Sequence, residues 1–295
     1  MFYTKYLKKR YYRVIESLIK KILIYKNNSK NSALQKTIRS AIYYTTEKNE
    51  ILFSNNKDIN YLLGSWDWIS LKLFIDKSFD YSILTKAIKL LGKKHSKSTL
   101  VNIGAHIGST CIPAIKENKF KNSIVFEPTK KTFKLLQSNI FLNEVDDKIR
   151  AYNLALSNKK ANLYLAIKRG NIGGNYITKN KKNTEIVKSD ILDNYTYNLN
   201  KNNSLIFMDV EGHESNIFLG SKKTIKKKIP IVFEFYPSLL DKNWIKNFDL
   251  VFKNYEFFYD LRGKNRKEKF NKKNLIGLIN KVNSIEGKHT DLMIV

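Results

Sequence analysis

The sequence predicts an α/β fold: a mostly parallel sheet with helices on both faces, preceded by a helical extension. From residue 99 onward, short apolar runs alternate with helix-length amphipathic stretches, which is typical of strands joined by crossover helices. The runs are apolar throughout, as expected for strands that are buried on both faces. We therefore place a helical extension at residues 1–91 and the α/β domain at residues 92–295.

The predicted strands follow one another at helix-length intervals. Five of them form the parallel part of the sheet: TLVNI (99–103), SIVFE (123–127), RAYNLA (150–155), SLIFMDV (204–210) and IVFEF (231–235). Two further strand-like runs, residues 255–261 and 290–295, enclose a basic loop and a short helix at residues 275–282. This order predicts a closing antiparallel pair at one edge of the sheet.

The first 25 residues predict a basic amphipathic helix. Its apolar residues recur with a helical period, and its Lys and Arg residues lie mostly off that stripe. Such a helix packs on the domain or lies on an anionic membrane, where each basic residue contributes up to about 1 kcal/mol. We favour packing, and peripheral contact of residues 1–25 with the membrane stays open. A polar linker follows at residues 26–32, and then an aromatic-rich helical region extends to about Leu91.

The formal net charge of +28 raises the question of a nucleic-acid partner. Only seven of the 54 basic residues are Arg, although the planar Arg fork is the side chain that phosphate and base recognition uses most. Lys is accompanied by abundant Asn, a pairing that A/T-rich coding sequences supply. We therefore interpret the charge as solvated surface, and we do not expect a nucleic-acid partner.

Composition also bears on the cellular compartment. Cys111 is the single cysteine, so a disulfide within the chain and a zinc site built on several cysteines are excluded. No run approaches the roughly 18 consecutive apolar residues that a membrane-spanning helix needs, and the first residues lack the uninterrupted apolar core of a secretory signal. These observations predict a cytoplasmic protein.

Two glycines and one acid mark the carboxyl ends of the first two strands. Gly104 and Gly108 follow the first strand in LVNIGAHIGS, just before a predicted helix near Ser109. Glycine there allows a tight turn and a close approach to a ligand, while the helix N-terminus offers free N–H groups. Glu127 ends the second strand, where a carboxylate accepts hydrogen bonds from both hydroxyls of a ribose. The pattern predicts a ribose-bearing ligand.

The spacing of the glycines narrows the identity of that ligand. Gly-Ala-His-Ile-Gly lacks the G-x-G-x-x-G pattern that brings the backbone against a pyrophosphate. S-adenosylmethionine (SAM) contains an adenosine but no phosphate, so it needs the ribose acid without the pyrophosphate cradle. The sequence therefore favours SAM over NAD as the cofactor.

Several motifs together resemble those of the FkbM family of SAM-dependent methyltransferases. In chain order the matching segments are LVNIGAHIGST, IVFEPTKKTFKLLQSNIFLNEV, LALSNKKANLYL, FMDVEGHESNIFLGSKKTI and PIVFEFYP. The most specific are EP at residues 127–128, the pair Asn139 and Asn143, and DVEGHE at residues 209–214. The resemblance covers residues 99–295 and implies a class I methyltransferase (Rossmann-like) fold with a seven-stranded sheet. Members of this family mostly methylate hydroxyls of sugars, glycolipids or polyketides.

The resemblance also implies roles for single residues. Seven positions carry over to SAM binding, with Glu127 at the ribose and Ser157 near the adenine: Asn102, Gly104, Ala105, His106, Gly108, Glu127 and Ser157. Asn102 stands where the family usually has Asp, so the hydrogen bond near the methionine amino group is kept and the charge is lost. Met208 stands where Lys is common.

FMDVEGHE at residues 207–214 is the densest cluster of groups able to act in catalysis. Asp209 ends the fourth strand, Glu211 and His213 come at the start of the next helix, and Glu234 ends the neighbouring fifth strand. Carboxylates crowded at one sheet edge raise each other's pKa, which suits a proton acceptor. We expect catalytic roles for all four, with Asp209 as first choice of base, Glu211 next and His213 a further candidate. Such residues also suit a divalent metal; that alternative stays open, and no metal ligands are assigned.

These features predict O-methylation of a sugar hydroxyl in a glycan or glycolipid, on a glycan or small-molecule acceptor. Tyr176 and the pair Trp66 and Trp68 are candidates to stack on a sugar, and Lys-rich loops favour an anionic acceptor. A nucleic-acid methyltransferase is one alternative, although the Asn/Asp-Pro-Pro-Tyr/Phe motif of amino-directed base methylation is absent. A second alternative is a non-catalytic SAM-fold module that anchors at a membrane through its first helix.

Overall fold

The structure, a computed structural model, describes most of the chain beyond the first helix predicted from the sequence. The described residues are 17, 32–56, 58–77, 79, 81–92, 95–168, 170–239, 244–263, 266–283 and 289–295. The basic helix predicted for residues 1–25 lies outside them, apart from Ser17, which is helical and exposed.

Strands and helices alternate from residue 99 onward, as the sequence predicts. The described strands are β1 (Ile51–Asn56), β2 (Ile59–Gly64), β3 (Thr99–Ile103), β4 (Asn122–Phe126), β5 (Ile149–Tyr152), β6 (Ala155–Leu156), β7 (Ala161–Ala166), β8 (Tyr176–Thr178), β9 (Thr184–Asp190), β10 (Ser204–Met208), β11 (Ile231–Phe235), β12 (Phe257–Asp260), β13 (Lys267–Lys269) and β14 (Thr290–Ile294). The described α-helices are α1 (Ser32–Thr45), α2 (Trp68–Asp76), α3 (Tyr81–Leu91), α4 (Cys111–Lys116), α5 (Lys130–Leu142), α6 (Glu214–Leu219), α7 (Lys222–Lys226), α8 (Trp244–Asn247), α9 (Asp249–Asn254) and α10 (Lys272–Asn283). Among the described residues, none of the helices combines the length and hydrophobicity that crossing a bilayer requires.

The main sheet has the order β13-β12-β14-β11-β10-β3-β4-β5. The five strands from β11 to β5 are parallel, and β14 pairs antiparallel with both β11 and β12. The predicted antiparallel closing pair is therefore confirmed. The sheet has eight strands where the family resemblance implies seven. The additional strand is β13, which has three exposed residues and pairs with β12 at the outer edge.

The central strands are buried on both faces, which explains their uninterrupted apolar sequences. Along β3, Leu100 packs into one hydrophobic cluster with Leu205 of β10. The next residue, Val101, packs into a second cluster on the opposite face with Ile206. Because side chains alternate along a strand, two covered faces require apolar residues at every position.

A second sheet, with the order β6-β9-β7-β8, lies beside the main one. The single strand predicted at residues 150–155 is wrong, because the chain divides there: β5 ends the main sheet and β6 begins the second sheet. The Asn153 side chain lies between them and donates to the carbonyl oxygens of Glu127 and Pro128, at 2.9 and 3.0 Å. These two bonds hold the chain at the end of β4 at the point where it changes sheets.

The region before the α/β domain contains strands as well as helices. The helical prediction is wrong for residues 51–64, where β1 and β2 form an antiparallel hairpin, while α1, α2 and α3 agree with it. Tyr61 and Leu63 of β2 belong to the same hydrophobic cluster as Leu100 of the main sheet. The hairpin is therefore packed on the α/β domain.

Two asparagine side chains of α5 and its C-cap bind the backbone of β2. Asn139 accepts from the Leu62 N–H at 2.7 Å and donates to the Leu62 carbonyl at 3.3 Å. Four residues later, Asn143 accepts from the Asn60 N–H at 2.8 Å and donates to the Asn60 carbonyl at 2.7 Å. The two amides occupy one face of the helix and satisfy backbone groups that a neighbouring strand would otherwise pair.

We predict that Asn139→Ala destabilises the protein. The substitution leaves the Leu62 N–H and the Ile107 carbonyl, to which Asn139 donates at 3.0 Å, without this partner. Each unsatisfied buried group costs about 1–3 kcal/mol, so the free energy of unfolding should fall by roughly 2–4 kcal/mol in denaturant titration. Gln137→Ala, an exposed amide on the same helix, is the control and should change it by less than about 0.5 kcal/mol. Equal effects of both variants would contradict the role of the Asn139 amide.

Candidate functional site

The carboxyl ends of β3, β4 and β10 converge at Gly104. The N–H groups of Gly104 and Ala105 donate to the Phe126 carbonyl at 3.0 and 2.9 Å, and the Asp209 N–H donates to the Ile103 carbonyl at 3.0 Å. Gly104 has φ +80°, and a Cβ there would lie 1.9 Å from the Asp209 carbonyl oxygen. Glycine is required because both the left-handed backbone and the contact with Asp209 exclude a side chain.

Glu127 is held in place by the backbone on both sides of it. One carboxylate oxygen accepts from the His106 N–H at 3.0 Å, and the other accepts from the Thr129 N–H at 2.8 Å. Only 5% of Glu127 is exposed, and burial raises the pKa of its carboxyl group, an effect that His106 and these hydrogen bonds oppose. Each oxygen keeps acceptor capacity for a second donor, such as a hydroxyl.

A cleft lies over this edge of the sheet and contains about 680 Å³ of empty volume, including open solvent at its mouth. The cleft is lined by residues from the turn after β3 and the end of β4, namely Gly104, His106 and Glu127. It is also lined by residues that follow β10, namely Asp209, Glu211 and His213. Its apolar wall consists of Phe126, Leu154, Ala155, Leu156, Leu165 and Ile177. Ile69 of α2 and residues 172, 173 and 175 also line the cleft. A cleft with a mostly apolar wall and a few polar groups is typical of a small-molecule site.

Three carboxylates gather beside the cleft. Asp209, Glu211 and Glu234 each place one oxygen within 4.8 Å of the others, a spacing that a divalent cation could bridge. The pKa of Glu234 is raised to about 10, first by burial and then by the negative charges of its neighbours Asp209, Glu211, Glu214 and Asp291. The raised pKa favours the protonated form of this carboxyl group, which reduces repulsion within the cluster. Its Oε2 is buried and has no hydrogen-bond partner among the described residues.

The residues that follow Asp209 are partly removed from water. Burial raises the pKa of Glu211, although Lys168 and His289 oppose the shift. Burial also raises the pKa of Glu214 to about 7 and lowers that of His213 to about 4. His213 is therefore a neutral imidazole at pH 7, and its Nε2 lies 2.9 Å from the Ser157 Oγ.

The structure brings most of the residues predicted from the sequence to one edge of the sheet. Six of them line the cleft: Gly104, His106, Glu127, Asp209, Glu211 and His213. Ser157, expected near the adenine, lies next to the apolar wall and contacts His213. Asn102 and Ala105 are buried and do not line the cleft, and Gly108 packs on Ile112 and Leu136. The Oδ1 atom of Asn102 is buried without a hydrogen-bond partner among the described residues.

The segment GNIGGNY at residues 170–176 is predicted from the sequence to be a loop beside the cleft, and its residues Ile172, Gly173 and Asn175 line it. Sequence reasoning missed Ile69, which lines the cleft from the extension. Trp66 and Trp68 are the residues of the segment at 62–74 that the sequence offers for sugar stacking, yet Asp67 between them is the buried residue that contacts both the loop and His106. The spacing of residue types along the sequence does not predict such contacts, because they join segments that are far apart in the chain.

Comparison with solved structures finds distant similarities. TYW2 of P. horikoshii, solved in complex with MeSAdo, is 14% identical with a TM-score of 0.38, covering 88% of this chain and 81% of that one. TYW2 of M. jannaschii, solved with AdoMet, is 12% identical with a TM-score of 0.38, covering 84% and 86%. Precorrin-6y C5,15-methyltransferase of Geobacter metallireducens is 9% identical with a TM-score of 0.37, covering 72% and 86%. No curated protein sequence matches the chain significantly.

A protein-family model settles the family. The model that describes the methyltransferase FkbM domain matches residues 102–267, which is more than half of the 295-residue chain. The matched region includes the glycine turn, Glu127 and the acidic cluster beside the cleft. The chain belongs to the FkbM family of SAM-dependent methyltransferases.

Proposed function

We propose that the protein transfers a methyl group from SAM to a sugar hydroxyl in a glycan or glycolipid. The observation that carries this proposal is the position of the carboxylate cluster. Asp209 and Glu211 line the same cleft as Glu127, so a proton acceptor and a ribose-binding acid lie in one site. Methyl transfer to a hydroxyl needs both, because the cofactor must be oriented and the hydroxyl must lose its proton.

The residues of the cleft fit SAM. Glu127 has acceptor capacity left for the two ribose hydroxyls, and its orientation is set by the N–H groups of His106 and Thr129. The apolar wall around Leu156 and Ile177 suits the adenine ring. When bound, SAM supplies an electrophilic methyl group on a sulfonium. The glycine turn at Gly104 lets the backbone approach that end of the ligand closely.

Asp209 is the proposed proton acceptor, with Glu211 as second choice. With SAM bound as methyl donor, a carboxylate oxygen of Asp209 would take the proton that the acceptor hydroxyl loses when it is methylated. Burial and the neighbouring carboxylates raise the pKa of Glu234, so its protonated form is favoured and it adds little charge beside Asp209 and Glu211. His213 is neutral and able to accept a proton, but its Nε2 lies at hydrogen-bond distance from Ser157.

Groups near the acidic cluster suit a sugar acceptor that carries negative charge. Tyr176 is 40% exposed, with the Lys168 ammonium 5.4 Å from its ring centroid, and Lys168 also influences Glu211. The rings of Tyr236 and His289 are stacked with centroids 5.6 Å apart, and the His289 Nε2 lies 3.8 Å from a Glu234 oxygen. Aromatic faces bind sugars, and lysines attract phosphate or carboxylate substituents.

Labelling tests the proposed function. The protein is incubated with methyl-labelled SAM and, in parallel, with fractionated cell envelope, total RNA and DNA. We expect label in a glycan or glycolipid fraction, and loss of the label after mild glycan hydrolysis. Label confined to RNA or DNA would favour the nucleic-acid alternative. Vesicle binding without transfer to any fraction would favour a non-catalytic membrane module.

We predict that Asp209→Asn and Glu127→Gln separate transfer from cofactor binding. Asp209→Asn should lower the transfer rate by about 10²–10⁴-fold, because the base is lost. SAM affinity in isothermal titration should stay within about twofold of the wild type, since the carboxylate acts on the acceptor. Glu127→Gln should weaken SAM affinity, because the amide NH₂ cannot accept and the single remaining oxygen cannot serve both the backbone N–H groups and the ribose hydroxyls. Loss of SAM affinity in Asp209→Asn would place Asp209 in the cofactor site instead.

We predict that Glu234→Gln stabilises the protein as the pH rises. The carboxyl group titrates near 4.5 in the unfolded chain and at about 10 in the folded one, so between these values only the unfolded state gains from ionisation. The contribution of Glu234 to the free energy of unfolding of the wild type therefore becomes less favourable as the pH rises. A permanently neutral Gln avoids that loss. The melting temperature of Glu234→Gln relative to wild type should increase from pH 4 to pH 8.

Glu256→Gln is the matched control for this pH dependence, because Glu256 is exposed. Its melting temperature relative to wild type should be similar at both pH values. A difference between Glu234→Gln and wild type that does not change with pH would contradict the raised pKa of Glu234.

A further inference from the structure

Asp67 is a buried carboxylate outside the region that the family model matches. It lies between β2 and α2, and 4% of it is exposed. Its Oδ2 accepts from the Ser70 N–H at 2.9 Å and so caps α2. Its Oδ1 accepts from the Ile172 N–H at 3.1 Å. One side chain therefore joins the extension to the loop that lines the cleft.

The same carboxylate faces the cofactor turn. The Nε2 of His106 lies 3.5 Å from the Asp67 Oδ2, within ion-pair distance. The backbone of His106 has φ 50° and donates to Glu127, so the residue is held at the turn by its main chain. The Nδ1 of His106 is buried and has no hydrogen-bond partner among the described residues. His106 also lines the cleft, so the orientation of its imidazole determines part of the surface that a ligand meets.

The contacts around Asp67 close one side of the cleft. Asp67 and Gly170 form a β-bridge, and a Cβ on Gly173 would lie 2.3 Å from the Ile69 Cδ1. The Tyr43 hydroxyl of α1 donates to the Asp67 carbonyl at 2.6 Å. The position of Asp67 is thus determined by helix α1, helix α2 and the loop at residues 170–175 together. A residue held from three sides is suited to orient another.

We propose that Asp67 is a positioning residue for cofactor binding, which rests on the proposed function. Its carboxylate orients the His106 imidazole through Nε2 and so fixes the surface that His106 presents to SAM in the cleft. The extension therefore contributes to the SAM site, although the family match begins only at residue 102.

A double-mutant cycle on SAM affinity tests the proposal. Asp67→Asn keeps the size of the side chain and removes its charge, and His106→Asn tolerates the left-handed backbone. Each single variant should weaken SAM binding by about tenfold in isothermal titration. In the His106→Asn background, Asp67→Asn should have little further effect, because the two residues act through one contact. Additive effects, as a merely structural role of Asp67 would produce, would overturn the proposal.

Asp193→Asn is the matched control, since Asp193 likewise accepts from two backbone N–H groups, those of Lys223 and Thr224, and does not line the cleft. It should lower the melting temperature as Asp67→Asn does, yet leave SAM affinity unchanged. Unchanged affinity in Asp67→Asn, with SAM bound by the wild type, would overturn only the role of Asp67. Absence of SAM binding by the wild type would overturn the proposed function as well.

Discussion

The close approach of β10 to the turn after β3 constrains the rest of the site. At Gly104 the Asp209 carbonyl occupies the space of a side chain, and the same turn takes two hydrogen bonds to the end of β4. Three strand ends are thereby joined without side chains between them. Glu127 and Asp209 line one cleft because β4 and β10, the strands that they follow, end at the same level as β3.

Burial gives the acids of the cleft different properties from those they have in water. The apolar core beneath the sheet edge removes solvent from Glu234, and the neighbouring charges add to that effect, so the cluster keeps a proton at neutral pH. Glu127 experiences burial as well, but His106 and two backbone N–H groups oppose the shift in its pKa. Glu127 is therefore suited to accept hydrogen bonds from a hydroxyl, while Glu234 is suited to share a proton with the neighbouring carboxylates.

The extension is part of the cleft because polar side chains attach it to the α/β domain. Asn139 and Asn143 bind the backbone of β2, and the chain leaving β2 then reaches Asp67 and Ile69 within a few residues. Side-chain amides at successive turns of a helix reproduce the pairing of a strand edge. The specific asparagine pair of the family motif thus has a structural role in this chain, at a distance from the reacting groups.

The amino-acid sequence determined the parallel sheet, its antiparallel closing pair, the glycine turn and the acids at the strand ends. These features depend on the period of apolar residues and on the conformational freedom of glycine, which act over a few neighbouring residues. The tertiary structure alone decided the β1–β2 hairpin, the division of residues 150–155 between two sheets, the raised pKa of Glu234 and the contact of Asp67 with His106. Each of these depends on groups that are distant in the chain and become neighbours only on folding, when burial and long-range hydrogen bonds override local preference.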